Sequence, residues 1–188
     1  LNRIRIAQNS AQSLLTLIND ILDFSKIEAN KLELESIEFE LNGVLTAATE
    51  SLASQAETKA VELLVDTSKL HTNTIISDPG RVRQILINLL SNAIKFTNEG
   101  EVTVSIEQLL VDDKWQLLMR LKDTGIGIPR EHLLHVFERF YKVDRARRDE
   151  GTGLGLAIVK HIIQAHSGQV TVESREGEGS TFNFTVPR

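Results

Sequence analysis

Over the first 35 residues the apolar positions Ile4, Ala7, Ala11, Leu14, Ile18 and Ile21 step alternately by three and four, the spacing of a heptad seam. Leu15 and Leu22 widen the stripe, while Arg5, Gln12, Thr16 and Asp23 lie mostly off it. A stripe this broad suits a helix in a bundle, and a helix carrying it needs a partner to keep its apolar face out of water.

After Lys31 the pattern becomes mixed. Residues 36–41 read as a short strand, and 42–59, rich in alanine, as a helix. Residues 61–66 and 73–77 read as strands separated by a polar turn around His71. Asp78-Pro79-Gly80 opens a helix, with Asp78 as N-cap and Pro79 at the first helical position. It runs to Phe96, with Asn98-Glu99-Gly100 as its stop. Residues 101–110 and 115–122 form a hairpin-like pair across 111–114. A glycine loop at 125–129, a short helix from Arg130, a charged stretch at 142–150 and a buried helix at 153–167 follow. Strands at 169–174 and 181–186 close the chain. Helices grouped with a mostly antiparallel sheet predict an α+β fold, a two-layer α/β sandwich preceded by one long bundle helix. The change of pattern divides the chain into residues 1–35 and residues 36–188.

Composition narrows the functional classes. The net charge of −5 argues against nucleic acid as the main partner, and the absence of cysteine removes disulfides and thiolate metal sites. No apolar run approaches the roughly 18 residues of a membrane span, and no secretory leader is visible. A cytoplasmic-type module is expected. The start at Leu1, within a helical pattern, reads as an excerpt from a longer protein.

Three segments carry candidate chemistry. In the helix 79–96, Asn88, Asn92 and Lys95 fall at i, i+4 and i+7 on one polar stripe. That stripe is either an ordinary solvated face or an amide-oxygen ligand for Mg²⁺ with a cation one turn away; Mg²⁺ takes most of its remaining oxygens from phosphate and water. Asp123-Thr124-Gly125-Ile126-Gly127-Ile128 directly follows a strand. It is either a tight turn with a local Asp cap or a loop whose glycines let a ligand approach. The ionised Asp123 only accepts hydrogen bonds, which matches the amino group of adenine and not the carbonyl of guanine. Gly151-Thr152-Gly153-Leu154-Gly155-Leu156 leads into a helix, where free N–H groups suit an anion and close helix packing also selects glycine. It is not a P-loop. The preceding stretch holds Lys142, Arg145, Arg147 and Arg148, cations suited to a lid over a polyphosphate. Phe137, Phe140 and Tyr141 either anchor that lid or sit in the core.

The order and spacing of these segments resemble the sensor histidine kinases. Asn88-x-x-x-Asn92 with Lys95-Phe96-Thr97 resembles the N box, and Asp123 to Gly127 the first glycine box. Phe137-Glu138-Arg139-Phe140-Tyr141 resembles the F box, Gly151 to Leu156 the second glycine box, and Gly177-Glu178-Gly179-Ser180-Thr181-Phe182 the closing motif. Upstream, residues 17–28 are similar to the second helix of the dimerisation hairpin. The resemblance covers essentially the whole chain and implies the fold shared with gyrase and MutL ATPases, with ATP between a helical layer and a lid. It further implies that Asp123 holds the adenine amino group with Thr181 nearby, and that Asn92 coordinates Mg²⁺. Lys95 meets phosphate, Gly153 and Gly155 offer backbone N–H groups, and Ile128 and Tyr141 line the adenine and ribose side. The nucleotide-binding set is completed by Asn88, Gly125, Gly127, Lys142, Thr152, Leu154 and Leu156. Catalytic roles fall to Asn88, Lys95 and Arg139, the last by contacting phosphate during transfer.

Gyrase-type ATPases carry Glu where this chain has Asn88, and a neutral amide supplies no general base for hydrolysis. In-line transfer of the γ-phosphoryl group to a protein nucleophile is therefore favoured, and the resemblance implies that this acceptor is a histidine and that the group is relayed to the aspartate of a response-regulator receiver domain. None of the five histidines, His71, His132, His135, His161 and His166, is followed by the family's acceptor pattern. They read as surface or packing residues, and the acceptor helix is expected from the same or a paired protomer. The implied partners are ATP, Mg²⁺, that helix, a receiver domain and, in the parent, a second copy. The competing functions are a gyrase- or MutL-type ATPase and an ATP-binding pseudokinase or dimerisation scaffold.

Overall fold

The computed structural model describes residues 11, 14–15, 18–19, 21–23, 25, 32–111, 113–143 and 152–187. Residues Ile4 and Ala7 of the seam, Arg145, Arg147 and Arg148 of the charged stretch, and Gly151 lie outside them. Strands β1 (Ile37–Glu40), β2 (Val61–Lys69), β3 (Thr74–Ser77), β4 (Gly100–Val111), β5 (Lys114–Asp123), β6 (Val170–Arg175) and β7 (Gly179–Pro187) accompany helices α1 (Leu41–Thr58), α2 (Pro79–Phe96) and α3 (Gly155–Ala165). The main sheet has the order β2-β4-β5-β7-β6, and β1 pairs with β3 in a small separate ribbon. All pairs are antiparallel except β2 with β4. The described part of the leading segment, from Ala11 to Ser25, is helical.

Period-two alternation in the long strands sorts the sheet into two faces. Val102, Val104 and Ile106 of β4, Leu117, Met119 and Leu121 of β5, and Phe182, Phe184 and Val186 of β7 are buried together with Leu41 and Leu45 of α1, Ile85, Leu86, Leu89 and Leu90 of α2, and Ile158, Ile162 and Ile163 of α3. The opposite face carries residues such as Arg120 and Lys122, with Arg120 Nε donating to Asn183 Oδ1 at 2.9 Å. The fold is thus the expected two-layer sandwich, its apolar layer sealed on one side only.

The structure departs locally from the pattern. β2 runs to Lys69, beyond residue 66, because its pairing with β4 resumes after an irregularity and sets Lys69 opposite Glu107. Gln108 Oε1 accepts from the amides of His71 and Thr72 at 2.7 and 2.9 Å, which fixes the turn there. The short helix from Arg130 is only a 3₁₀ turn, Arg130–His132, followed by irregular turns. The last helix starts at Gly155 rather than 153, because Gly153 takes φ +73° and cannot continue a right-handed helix.

Both ends of α2 are fully engaged. Asp78 Oδ1 accepts from Arg81 N at 2.9 Å, the expected N-cap. At the other end, Thr97 N donates to Ala93 O at 2.9 Å and Ile126 N donates to Phe96 O at 3.1 Å. The ammonium of Lys59, at the end of α1, donates to Ile94 O at 3.0 Å, to Lys95 O, and to Thr97 O at 3.4 Å. Carbonyls that every helix leaves unpaired at its C-terminus are here met by a cation and by the glycine loop.

Candidate functional site

The buried row of β5, Leu117-Met119-Leu121, ends on Asp123, and that of β7, Val186-Phe184-Phe182, ends on Ser180. Asp123 and Ser180 are opposite each other in the sheet, so an apolar layer terminates in a polar pair at its edge. Asp123 is only 5% exposed. Its Oδ1 accepts from Gly125 N at 2.9 Å and from Ser180 N at 3.2 Å. Burial pushes its carboxyl above the ordinary value of 3.8, and the two amides pull the other way.

The loop after β5 is pinned at each step. Thr124 N donates to Glu101 O at 3.2 Å, Gly177 N to Ile126 O at 2.7 Å, and Ile128 N to Ser174 Oγ at 2.8 Å. A Cβ on Gly125 would stand 2.6 Å from Phe96 O, 2.8 Å from Asp123 Oδ1 and 2.9 Å from Thr97 Oγ1. Gly127 has φ +69°, and a Cβ there would run into the Arg175 carbonyl. These glycines are demanded by close approach of the chain to itself, as the tight-turn reading expects. Thr97 is fully buried, and its Oγ1 has no hydrogen-bond partner among the described residues. A buried polar atom left so beside a buried carboxylate suits a ligand or water that completes it.

The second glycine segment closes against the F-box segment. Phe140 N donates to Gly153 O at 2.9 Å, and a Cβ on Gly153 would lie 2.8 Å from the Phe140 carbonyl carbon. Phe140 itself adopts φ +59°, rare for a residue with a side chain. Its ring is 65% exposed, which removes the core alternative, whereas Phe137 meets Phe182 edge-on at 6.3 Å. Thr152 Oγ1 accepts from Leu154 N at 3.0 Å. The amide of Leu154 is thus already engaged, and its side chain is core at 1% exposure; Leu156 also packs against the core. Gly155 opens α3 beside α2: a Cβ on it would stand 3.4 Å from Asn88 Oδ1. The structure therefore brings Asn88 against the second glycine segment, with Asn92 and Lys95 half-buried further along the same helix. Lys95 Nζ lies 4.9 Å from the Phe96 ring.

Other expected residues sit elsewhere. Thr181 pairs with Lys122 and Glu173, on the sheet face opposite Asp123. A solvent-open groove of about 730 Å³ nevertheless borders Thr181, Lys122 and Glu173 together with Asp123, Ile128 and Ser180. Ser180 occupies the position expected of Thr181; the alternation of Phe182, Phe184 and Val186 carries the parity that identifies it. Tyr141 OH lies 2.5 Å from His132 Nδ1, and its ring is 5.5 Å from that of His135. Lys142 is half-buried and Arg139 exposed. His161 is held below its ordinary value of 6.5 by burial, then by the charges of Arg139 and Lys160. Ser174, which joins Ile128 to Gly179 and Ser180, had no signal in the sequence. Among the described residues no group of three or more acidic, histidine or cysteine side chains gathers as a metal site. No helix is long and apolar enough to cross a membrane, among the described residues.

A buried carboxylate flanked by glycine loops, beside a helix presenting amides and a lysine, defines a nucleotide-binding sandwich. Residues 77–188 match the histidine kinase-, DNA gyrase B-, and HSP90-like ATPase family. The chain belongs to this family and resembles the ATP-binding catalytic domains of two-component histidine kinases. It is 39% identical over 188 residues to the signal transduction histidine-protein kinase BarA of Escherichia coli strain K12, covering 98% of this chain and 20% of that protein. The chain thus spans about a fifth of that relative's length. Full-length ShkA, solved in complex with AMPPNP, superimposes with a TM-score of 0.84 at 32% identity, over 99% of this chain and 38% of ShkA. The histidine kinase ThkA, solved with the response regulator protein TrrA, gives 0.73 at 26% identity, over 98% of this chain and 50% of ThkA.

Proposed function

We propose that this chain binds MgATP and serves as the phosphoryl donor of a sensor histidine kinase. The observation that carries the reading is Asp123, a carboxylate buried in the fold with Oδ1 tied to two backbone amides. Its other oxygen is left to accept from a bound donor, and the adenine amino group is one where the guanine carbonyl is not. Thr97 Oγ1 and Ser180 stand beside it to complete the base edge. Asn88 and Asn92 supply neutral amide oxygens near the phosphates, and Asn92 holds Mg²⁺, a hard ion satisfied by such oxygens together with phosphate and water. The ion neutralises phosphate charge when bound. Lys95 and the lid cations Lys142 and Arg139 add positive charge along the polyphosphate, and Gly153 and Gly155 offer N–H groups.

Asn88 removes no proton from water, so the site holds ATP for in-line transfer to a neutral imidazole. That imidazole belongs to a bundle helix of the same or a second protomer, and the phosphoryl group passes on to a receiver-domain aspartate. We place the boundary between bundle helix and catalytic domain near residue 35, the module in the cytoplasm, and the parent in a homodimer packed through the seam at Leu14, Ile18 and Ile21. ThkA's complex with TrrA supports a receiver partner. The test is calorimetric titration of the chain and of Asp123→Asn with MgATP and MgGTP. ATP is expected to bind, GTP not to, and the substitution to weaken ATP about ten- to hundredfold, as loss of a charged hydrogen bond does. Absence of ATP binding to the unaltered chain overturns the reading and favours a scaffold.

A further inference from the structure

Among the described residues, the leading helical segment meets the sandwich at the Asp23 carboxylate. Asp23 Oδ1 accepts from Arg81 Nη1 at 2.9 Å, and its Oδ2 accepts from Gln84 Nε2 at 2.7 Å. Arg81 Nη1 also donates to Gln84 Oε1 at 2.7 Å, closing the three side chains into a ring of hydrogen bonds. The side chains of Arg81 and Asp23 are only 20% and 16% exposed. A shielded pair with both carboxylate oxygens engaged is of the kind that fixes orientation, unlike an exposed surface pair. A second tether lies at the same end of α2, where Asp78 Oδ2 accepts from Glu35 N at 3.1 Å while Leu32 packs on the core.

Two helical periodicities give this contact its meaning. On α2, Arg81, Gln84, Asn88, Asn92 and Lys95 recur at intervals of three and four and so share one stripe. Gln84 is one turn, about 6 Å, from Asn88. On the leading segment, Asp23 lies roughly 140–200° around the helix from Leu14, Ile18 and Ile21, the seam, at 100° per residue. Those seam residues are 57%, 44% and 52% exposed. The helix thus turns its polar back to α2 and keeps its apolar face available to a bundle partner, so both contacts are compatible.

We propose that Asp23, Arg81 and Gln84 form a docking latch that registers the bundle helix on the polar stripe of α2, beside the phosphate end of the ATP site. The inference rests on the nucleotide reading above for the meaning of that site, but the latch itself rests on the contacts. Asp23, Arg81 and Gln84 are positioning residues: they touch no nucleotide, and they set how the donor site faces the bundle. Removing the latch leaves ATP affinity intact and frees the helix from its register.

The chain has no cysteine, so spin labels can be attached at Ala11→Cys and Thr171→Cys, with unlabelled chain in excess to remove distances between copies. Pulsed dipolar spectroscopy is expected to give one narrow distance distribution. In Asp23→Ala and in Arg81→Ala it should become about twofold broader or split. The paired exchange Asp23→Arg with Arg81→Asp should narrow it again, the signature of direct coupling. MgATP affinity by calorimetry should stay within about twofold throughout, since neither residue lines the site. An unchanged distribution in the single variants overturns the latch. Broadening that the exchange fails to reverse also overturns it, because it marks local damage. Failure of the unaltered chain to bind MgATP would sink the nucleotide reading and leave the distances to decide the latch on their own.

Discussion

Asp123 sits where solvation and function oppose each other. Its carboxyl is raised from the ordinary value by burial, so the fold holds the proton more tightly than the unfolded chain does. As pH rises from about 3.8, the unfolded chain ionises first and the fold loses stability until Asp123 also ionises. At neutral pH the full penalty is present. Asp123→Asn keeps an acceptor for Gly125 and Ser180 and removes the charge. It should therefore melt at a higher temperature than the parent at pH 7, with the difference shrinking towards pH 4. Calorimetric melting across pH 3.5–8 checks this, and a difference independent of pH would contradict it. The same substitution is the one expected to weaken ATP binding, a trade of stability for function of the kind binding sites show. Asp123 was legible as a candidate because glycines follow a strand; Thr97 and Ser174 were not, because their roles depend on which chain segments fold against them.

Helix α2 illustrates how much of an element its own residues settle. Asp78 and Pro79 define its start, and its apolar positions cover the face it buries. Its end was expected from Asn98-Glu99-Gly100, yet the carbonyls there are met by Lys59 from α1 and by Ile126 from the glycine loop. No local pattern announces a cap delivered from 35 residues earlier in the chain. Lys59→Met keeps the aliphatic stem and removes the ammonium, and should cost about 1–2 kcal/mol in urea unfolding, as loss of a charged donor at a helix C-terminus does. Because Lys95 O is among the acceptors and Thr97 closes the same turn, the variant should also weaken MgATP binding. A variant as stable as the parent would show that the three carbonyls are equally well served by water.

For the molecule as a whole, the proposed reading separates holding ATP from receiving its phosphate. The residues proposed to hold the nucleotide gather on α2, the loop after β5 and the start of α3, while the histidines sit in the turns, on α3 and at the sheet margin. His132 is engaged with Tyr141, His135 with Glu138, and His166 with the Ile162 carbonyl. Incubated with MgATP, this chain should therefore accumulate no acid-labile phosphohistidine, and adding a bundle helix with the acceptor should restore labelling. Label on the chain alone would contradict the separation of roles.

Local pattern by itself determined the two-layer fold and the limits of α2, and marked Asp123, Asn88 and the glycine segments as candidates, because those features depend on neighbours a few residues away. Tertiary structure decided the rest. The parity of β7 against β5 put Ser180 rather than Thr181 beside Asp123, since strand register is set by which face meets the core. The positive φ of Gly153, imposed by its contact with Phe140, shortened the last helix. Asp23, a polar residue off the seam in the sequence, found its partners 58 and 61 residues away. Pairings of that range leave no local trace, because a side chain's chemistry is written in the chain but its neighbours are chosen only by the folded packing.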